Sequence, residues 1–334
     1  MKKVFSFNSQ LDIVTGVQKV LLDIHHAIRN DYEANIVGLK SYSSVNNNLN
    51  ISENEYVQWK NPFLFYNSIV ILHERKFLML FRILNLVFFQ RIKVVYIHHS
   101  ILYGKRMMSS MPENIVCISD RGKQNLMEYF KVPQEHIYKI HNCVDDVFTE
   151  DHPTFHKDLI KILYPARINN GKRQLEIVQK LRGKLNRNIQ ILFAGIGPLY
   201  EELWQEVKND EQFVSLGFVD NIPQLMRECD YVMLFSTHEG LPITLIEATM
   251  TGTPIICNDV GGNTEVAFNG ENAIVVNKWN ELIATLNELP QKDTDTYISM
   301  CKKSRKIFEM NFTFARFKKN YLNLLNCITN DMVK

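Results

Sequence analysis

Short apolar, β-branched runs alternate with longer segments of helical periodicity along most of the chain, and this alternation restricts the fold more than any single motif. Strands apolar on both faces must be covered on both, and a helix between successive strands supplies the cover. The pattern therefore predicts parallel sheets wound by α/β crossovers. In the first half, residues 3–7, 34–39, 68–72, 94–98 and 115–119 read as strands, and 17–30, 76–89 and 120–130 as helices. In the second half the strands are 160–164, 189–194, 213–216, 231–235 and 254–257, with helices at 172–185, 199–208, 222–228 and 242–251. The polar stretch TEDHPTFHKD at 149–158 has a proline and no periodicity, and reads as a linker. The 334 residues thus divide into two doubly wound domains, 1–150 and 159–311, and a tail, 312–334, with a helix at 314–327. Such sheets bind ligands at the carboxyl ends of their strands, so two facing one another would form a deep cleft.

Composition narrows the partners. With 38 Lys and Arg against 36 Asp and Glu, the net charge of +2 is too even for a nucleic-acid binder. Residues 75–139 nevertheless carry a local +7. The six cysteines have no CxxC or CxxH spacing, which argues against a zinc site or a disulfide framework and suits a reducing cytoplasm. The N-terminus lacks the apolar stretch of a signal peptide. The longest apolar run, from Phe77 to Phe89, spans 13 residues broken by Arg82 and Asn85, short of the ~20 needed to cross a bilayer.

Four stretches carry chemistry. In HEGLPITLIEATMTGTPII, Glu239 precedes a predicted helix opened by Gly240, Leu241 and Pro242, and Glu247 lies within it. Free N–H groups at such a helix start suit a phosphate, and a neighbouring carboxylate suits a sugar or ribose hydroxyl. A capping glutamate and an ordinary helical one are the bland alternative. In YPARINNGKRQ, Arg167 and Lys172 bracket a loop at a strand end and suit a diphosphate, or are solvated surface cations. Gly195-x-Gly197 lets backbone approach a nucleotide, though without a third glycine it is no dinucleotide fingerprint. Gly16 is either a phosphate donor through its N–H or a turn glycine. His98 and His99 close a strand and are either cleft residues or satisfied core histidines. Asp293-Thr-Asp295 reads as a solvated helix start, and no metal is expected.

Together these stretches resemble the retaining glycosyltransferases of family four, which have the GT-B fold: two Rossmann-like domains facing across a cleft. The likeness is strongest over 160–276, through Gly217-Phe-Val-Asp220, Ser236-x-x-Glu239-Gly-Leu-Pro242, Glu247-Ala, Gly252-Thr-Pro254 and Gly261-Gly-Asn-Thr-Glu265. It is thinner in the first half, with Gly16, His98-His99, Ile118-Ser119 and His141-Asn-Cys-Val-Asp145. Two departures, Cys143 and Ala166 at positions where glycine is common, remove no functional side chain.

The resemblance implies a nucleoside-diphosphate sugar donor, UDP before GDP, and transfer with retention to a saccharide or polyprenyl-linked acceptor in bacterial surface-polysaccharide synthesis. Arg167 and Lys172 would neutralise the leaving diphosphate, with no metal and no cofactor, and attack would come from the same face as departure. Glu247 would hold the ribose, and Gly217, Phe218 and Val219 the base. Glu239 would lie by the transferred sugar with His99, less securely His98, while Gly240, Leu241 and Pro242 offer backbone contacts. The tail would cross back onto the first domain. The basic, aromatic segment from Lys76 to Phe89 would touch the inner face of the plasma membrane, or else be a buried helix with a cationic rim. An epimerase or phosphorylase on the same fold, or a non-catalytic partner subunit, are the rival readings. The chain shows no convincing acid/base set for the first and no evident pyridoxal phosphate lysine for the second.

Overall fold

The computed structural model describes residues 2–104, 106, 109–149, 159–291 and 294–332. It divides into two units: residues 1–143 with 314–334, and residues 144–313. The expected linker at 149–158 lies, apart from Thr149, outside the described residues. The break falls earlier, after Cys143, because residues 144–148 are already tied to the second unit. Val144 pairs with Thr313, Asp146 accepts two hydrogen bonds from Arg305 at 2.8 and 2.6 Å, and the Phe148 ring lies 4.6 Å from the same guanidinium.

The first unit holds seven strands, β1 (Lys3–Phe7), β2 (Glu33–Gly38), β3 (Tyr56–Gln58), β4 (Ile69–Leu72), β5 (Lys93–His98), β6 (Asn114–Cys117) and β7 (Ile137–Lys139). They form one parallel sheet in the order β3-β2-β1-β4-β5-β6-β7. Its helices are α1 (Gly16–Ile28), α2 (Leu78–Phe88) and α3 (Asp120–Glu128), and α10 (Phe314–Asp331) joins them from the far end of the chain. The Thr15 side chain caps α1 and that of Ser119 caps α3. α10 packs on α1, and Tyr32 Oη donates to Asn326 Oδ1 at 2.7 Å. On one sheet face an aromatic cluster of Phe7, Trp59, Phe65 and Phe81 packs edge to face or stacked, with ring centroids 5.0–6.5 Å apart.

The second unit holds β8 (Ile160–Pro165), β9 (Ile189–Ala194), β10 (Phe213–Gly217), β11 (Tyr231–Leu234), β12 (Ile255–Cys257) and β13 (Ala273–Val275), all parallel, in the order β10-β9-β8-β11-β12-β13. Its helices are α4 (Gln174–Leu181), α5 (Tyr200–Val207), α6 (Ile222–Glu228), α7 (Ile243–Thr251), α8 (Trp279–Asn287) and α9 (Asp295–Asn311). In both sheets the order turns back beside the first strand, between β1 and β4 and between β8 and β11. Crevices for ligands open outside the carboxyl ends at such switch points. No helix of the described residues is long and apolar enough to cross a membrane.

Candidate active site

The residues singled out in the second unit gather at the β8–β11 switch point. Past β8 the chain forms a tight turn in which Lys172 N–H is held by the Asn169 side chain at 3.0 Å. The helix expected at 172–185 is shorter at both ends: a 3-10 turn covers Asn170–Lys172, and α4 begins at Gln174. Lys172 therefore projects from a turn. Its Nζ meets Glu239 Oε1 at 2.5 Å across the switch point, with the Glu239 side chain 8% and Lys172 24% exposed. Arg167, on the same loop, is exposed, and its carbonyl oxygen accepts from Gln174 Nε2 at 3.2 Å.

Three bonds lock the two strand ends together. Tyr164, fully buried on β8, donates its hydroxyl to Lys172 O at 2.7 Å and accepts from Phe235 N–H at 3.0 Å. Thr237 N–H donates to Gly171 O at 2.8 Å. On the far side of β11, buried Asn258 clasps both backbone groups of Ser236, at 3.1 and 2.7 Å. A cation and a carboxylate fixed this way keep their positions without reorganising, which is the condition for electrostatic stabilisation of a developing charge.

Glu239 is also held from behind. Gly262 N–H donates to Gly240 O at 2.6 Å, and a side chain at Gly261 would sit 2.2 Å from Glu239 O. Leu241 and Pro242 are buried, and Pro242 leads into α7, which starts at Ile243. Glu247 is half-buried in the second turn of α7. Thr244 Oγ1 donates to Pro165 O at 3.2 Å, seating the start of α7 on the end of β8.

The neighbouring strand ends complete the arrangement. Gly217 closes β10, Phe218 is 66% exposed and Val219 is half-buried. At Gly195-x-Gly197 the structure shows neighbouring backbone in close approach. A Cβ at Gly195 would lie 2.2 Å from Ala166 O, and one at Gly197 2.3 Å from Ile168 O. Both glycines are needed so that the loop bearing Arg167 can lie on the β9 end.

Arg173 is a residue that sequence reasoning missed. It takes a left-handed conformation (φ 58°) between the Lys172 turn and α4, uncommon for a residue with a side chain. Its guanidinium lies 4.4 Å from the Trp279 ring and 5.1 Å from that of Phe235, and makes two bonds to Glu176 at 2.7 and 3.0 Å. These contacts hold the strained turn in place. Glycine, which needs no such support, should replace Arg173 at little cost to turnover. Arg173→Val should lower kcat by about tenfold or more through misaimed Lys172, as steady-state kinetics of both variants would show.

In the first unit, His98 is fully buried and its Nε2 meets Asn125 Oδ1 at 3.1 Å. It is a core histidine, not a cleft residue. His99, half-buried one residue past β5, stacks on His73, with His73 Nδ1 3.0 Å from His99 Nε2. His73 follows β4 and no spacing signalled it. At the β1–β4 switch point Ser9 Oγ donates to Glu74 Oε1 at 2.8 Å. Gly16 is exposed as the first residue of α1.

Burial pushes the imidazole of His98 down to about 4 and that of His99 to about 3, and holds His73 well below its ordinary value. All three are neutral when folded, whereas the unfolded chain binds their protons near pH 6.5. Stability is therefore complete above about pH 6.5 and is lost as pH falls toward 4, at about 1.4 kcal/mol per pH unit for fully buried His98 alone. Urea melts at pH 7 and 5 should show this loss, and His98→Gln should flatten the slope.

Among the described residues no group of three or more His, Cys, Asp or Glu is placed to hold a metal ion. Asp295 is the first residue of α9, while Asp293 lies outside the described residues.

Known proteins resemble this arrangement. Residues 148–306 match the family model for glycosyl transferases group 1. The N-acetyl-alpha-D-glucosaminyl L-malate synthase of Bacillus anthracis is 28% identical over 151 residues, 42% of this chain and 40% of that protein. The capsular polysaccharide biosynthesis glycosyltransferase CapH of Staphylococcus aureus is 23% identical over 232 residues, 66% of this chain and 62% of its own. The chain spans between 33% and 46% of the length of the first curated relatives it matches. The crystal structure of Anabaena Alr3699/HepE in complex with UDP superposes with a TM-score of 0.80 at 18% identity, covering 98% of this chain and all of that one. Residues 148–306 thus match the glycosyl transferases group 1 family, and the two parallel-sheet units have the GT-B fold.

Proposed function

We propose that the protein is a retaining glycosyltransferase that moves a sugar from a nucleoside diphosphate, UDP before GDP, to a hydroxyl of a saccharide or polyprenyl-linked saccharide. The observation that carries this reading is the Lys172–Glu239 pair, locked across the β8–β11 switch point beside exposed Arg167. In the proposed reaction the acceptor oxygen bonds to the anomeric carbon as the bond from that carbon to the diphosphate oxygen breaks. The acceptor proton passes to the departing diphosphate on the same face.

Arg167 and Lys172 meet the charge that builds on the leaving group, so metal independence is part of the proposal. Glu239 orients the transferred sugar and His99 is its second contact. Glu247 takes the ribose, and Gly217, Phe218 and Val219 flank the base. Backbone groups of Gly240, Leu241 and Pro242 line the phosphate side, and Gly16 is a further donor.

The UDP in the HepE crystal favours a uridine donor, and the name of CapH favours surface polysaccharide as the product. In this reading the acceptor lies at the inner face of the plasma membrane. The test is NMR of the hydrolysis that transferases run slowly without acceptor, using α-linked UDP-sugars in EDTA. Release of the α-anomer first supports the reading. Release of the β-anomer first, or an absolute need for divalent metal, contradicts it.

A further inference from the structure

Three buried imidazoles of the first unit each leave one ring nitrogen without a partner among the described residues: Nδ1 of His25, Nε2 of His73 and Nδ1 of His98. A bare nitrogen there leaves a lone pair unpaired, whereas a protonated one leaves a buried N–H unpaired. Among buried backbone groups an orphaned N–H is the rarer of the two faults. Which state a ring adopts also decides what its other nitrogen does.

For two of the three rings, the partner of the second nitrogen settles the state. His25 Nε2 lies 3.4 Å from Glu55 Oε1, an oxygen that also accepts from Arg29 Nη1 at 2.8 Å. His98 Nε2 lies 3.1 Å from Asn125 Oδ1. The Asn125 amide cannot be turned round, because its Nδ2 donates to Leu102 O at 3.0 Å while its Oδ1 accepts from Leu102 N–H at 3.1 Å. Both histidines therefore donate through Nε2, and in both the orphaned Nδ1 is bare. The core tolerates an unpaired lone pair at each.

His73 faces another imidazole instead of an oxygen. Its Nδ1 lies 3.0 Å from His99 Nε2, with the ring planes 22° apart. Burial holds both rings below their ordinary values, so each carries a single proton. Two arrangements are then possible. If His99 Nε2 donated, the proton of His73 would sit on its orphaned Nε2. If His73 Nδ1 donates, its Nε2 is bare like the other two orphans, and the proton of His99 sits on Nδ1. The adjacent carboxylate does not rescue the first arrangement. Glu74 is occupied by Ser9 N–H, by Ser9 Oγ at 2.8 Å and by Lys76 Nζ at 2.8 Å.

We propose that His73 is a positioning residue that donates to His99 Nε2 and so fixes His99 as its Nδ1–H tautomer. In that state half-buried His99 is a neutral donor to a ligand oxygen and accepts no proton, since its one lone-pair nitrogen is taken. That the oxygen belongs to the transferred sugar rests on the transferase reading, whereas the tautomer does not. His99 then orients the sugar and is no general base, in keeping with an acceptor proton that leaves on the diphosphate.

The experiment is NMR of the histidine ring nitrogens in the isotope-labelled whole chain without ligand, with His73 and His99 identified by the signals lost in His73→Asn and His99→Gln. The expected result is a protonated Nδ1 and a bare Nε2 on both rings. A proton on His99 Nε2 overturns the proposal. In a second arm, His73→Leu removes the donor and His73→Asn supplies one from its amide. Turnover of a UDP-sugar should fall about tenfold in His73→Leu, as for one lost hydrogen bond, and recover in His73→Asn. The thermal shift with UDP, which lacks the transferred sugar, should match the parent in both. Parent-like turnover in His73→Leu, or an equal loss in both variants, also overturns the role. The two readings fail separately. A proton on His99 Nε2 in a chain that turns over UDP-sugar sinks the positioning role alone. The expected tautomer in a chain with no UDP response sinks the transferase reading and leaves His99 a donor fixed by His73.

Discussion

Lys172→Met is expected to lower kcat by about 10²–10³-fold, the loss seen when a preorganised group facing a developing anion is removed. The same change leaves the Glu239 carboxylate, 8% exposed, without its 2.5 Å partner. Breaking a fully buried pair costs ~3–5 kcal/mol. Here Lys172 keeps some contact with water, so about 2 kcal/mol is expected, a fall in Tm of several degrees. The double variant Lys172→Met/Glu239→Gln separates the two effects. It removes the unpaired charge and should recover most of the Tm, yet kcat should stay low. If the double variant regained turnover, Lys172 would be a partner for Glu239 and nothing more.

Gly261→Ala is expected to act through backbone. Gly261 has φ 58°, and a Cβ there would lie 2.2 Å from Glu239 O and 2.6 Å from its carbonyl carbon. No rotamer change relieves a clash with main chain, so the Gly261 turn or the Glu239 segment must move. We expect a loss of about 3 kcal/mol or more, and, because a displacement of about 1 Å costs ~10²-fold, a comparable fall in kcat. Gly183→Ala is the control. Gly183 has φ 73° with nothing within 4 Å of the added Cβ, so only the left-handed strain of about 1–2 kcal/mol should appear, with kcat unchanged. Thermal melts and single-turnover rates of the two alanine variants make the comparison.

Most of the architecture is legible in the sequence because both sheets are buried on both faces. Ten strands show as apolar runs within a residue or two of their observed ends. Three escaped, β3, β7 and β13, each three residues long and each at a sheet edge. An edge strand needs no long apolar run, so periodicity has nothing to detect. Helix α8 was also missed, and of α9 only the start, at Asp293-Thr-Asp295, was read. The starts of α4 and α6 show the limits of local signals: the Asn221 side chain caps α6 where the helix was expected, whereas α4 waits for the left-handed residue at Arg173.

The proposed site was legible where charged side chains stand at the ends of elements. Arg167, Lys172, Glu239 and Glu247 stand out as charges at strand ends and a helix start. What was not legible is what holds them. Tyr164 reads as a core aromatic until its hydroxyl is seen joining Lys172 O to Phe235 N–H. Asn258 and Arg173 lie 22 residues and one residue from the backbone they position, and neither distance forms a pattern. The glycines at 195 and 197 were ambiguous for a related reason. A glycine signals close approach of something, and the sequence does not say whether ligand or neighbouring backbone approaches.

The proposed function depends on the β8–β11 switch point binding a nucleoside diphosphate. The most direct measurement is a thermal-shift panel of the purified chain with UDP, GDP, ADP and CMP, each with and without EDTA, repeated on Arg167→Ala and Glu247→Ala. A ligand at about 100 times its Kd stabilises by about 2.7 kcal/mol. An EDTA-insensitive shift with UDP, lost in both variants, is expected. No shift with any nucleotide, or a shift that survives both substitutions, would contradict it.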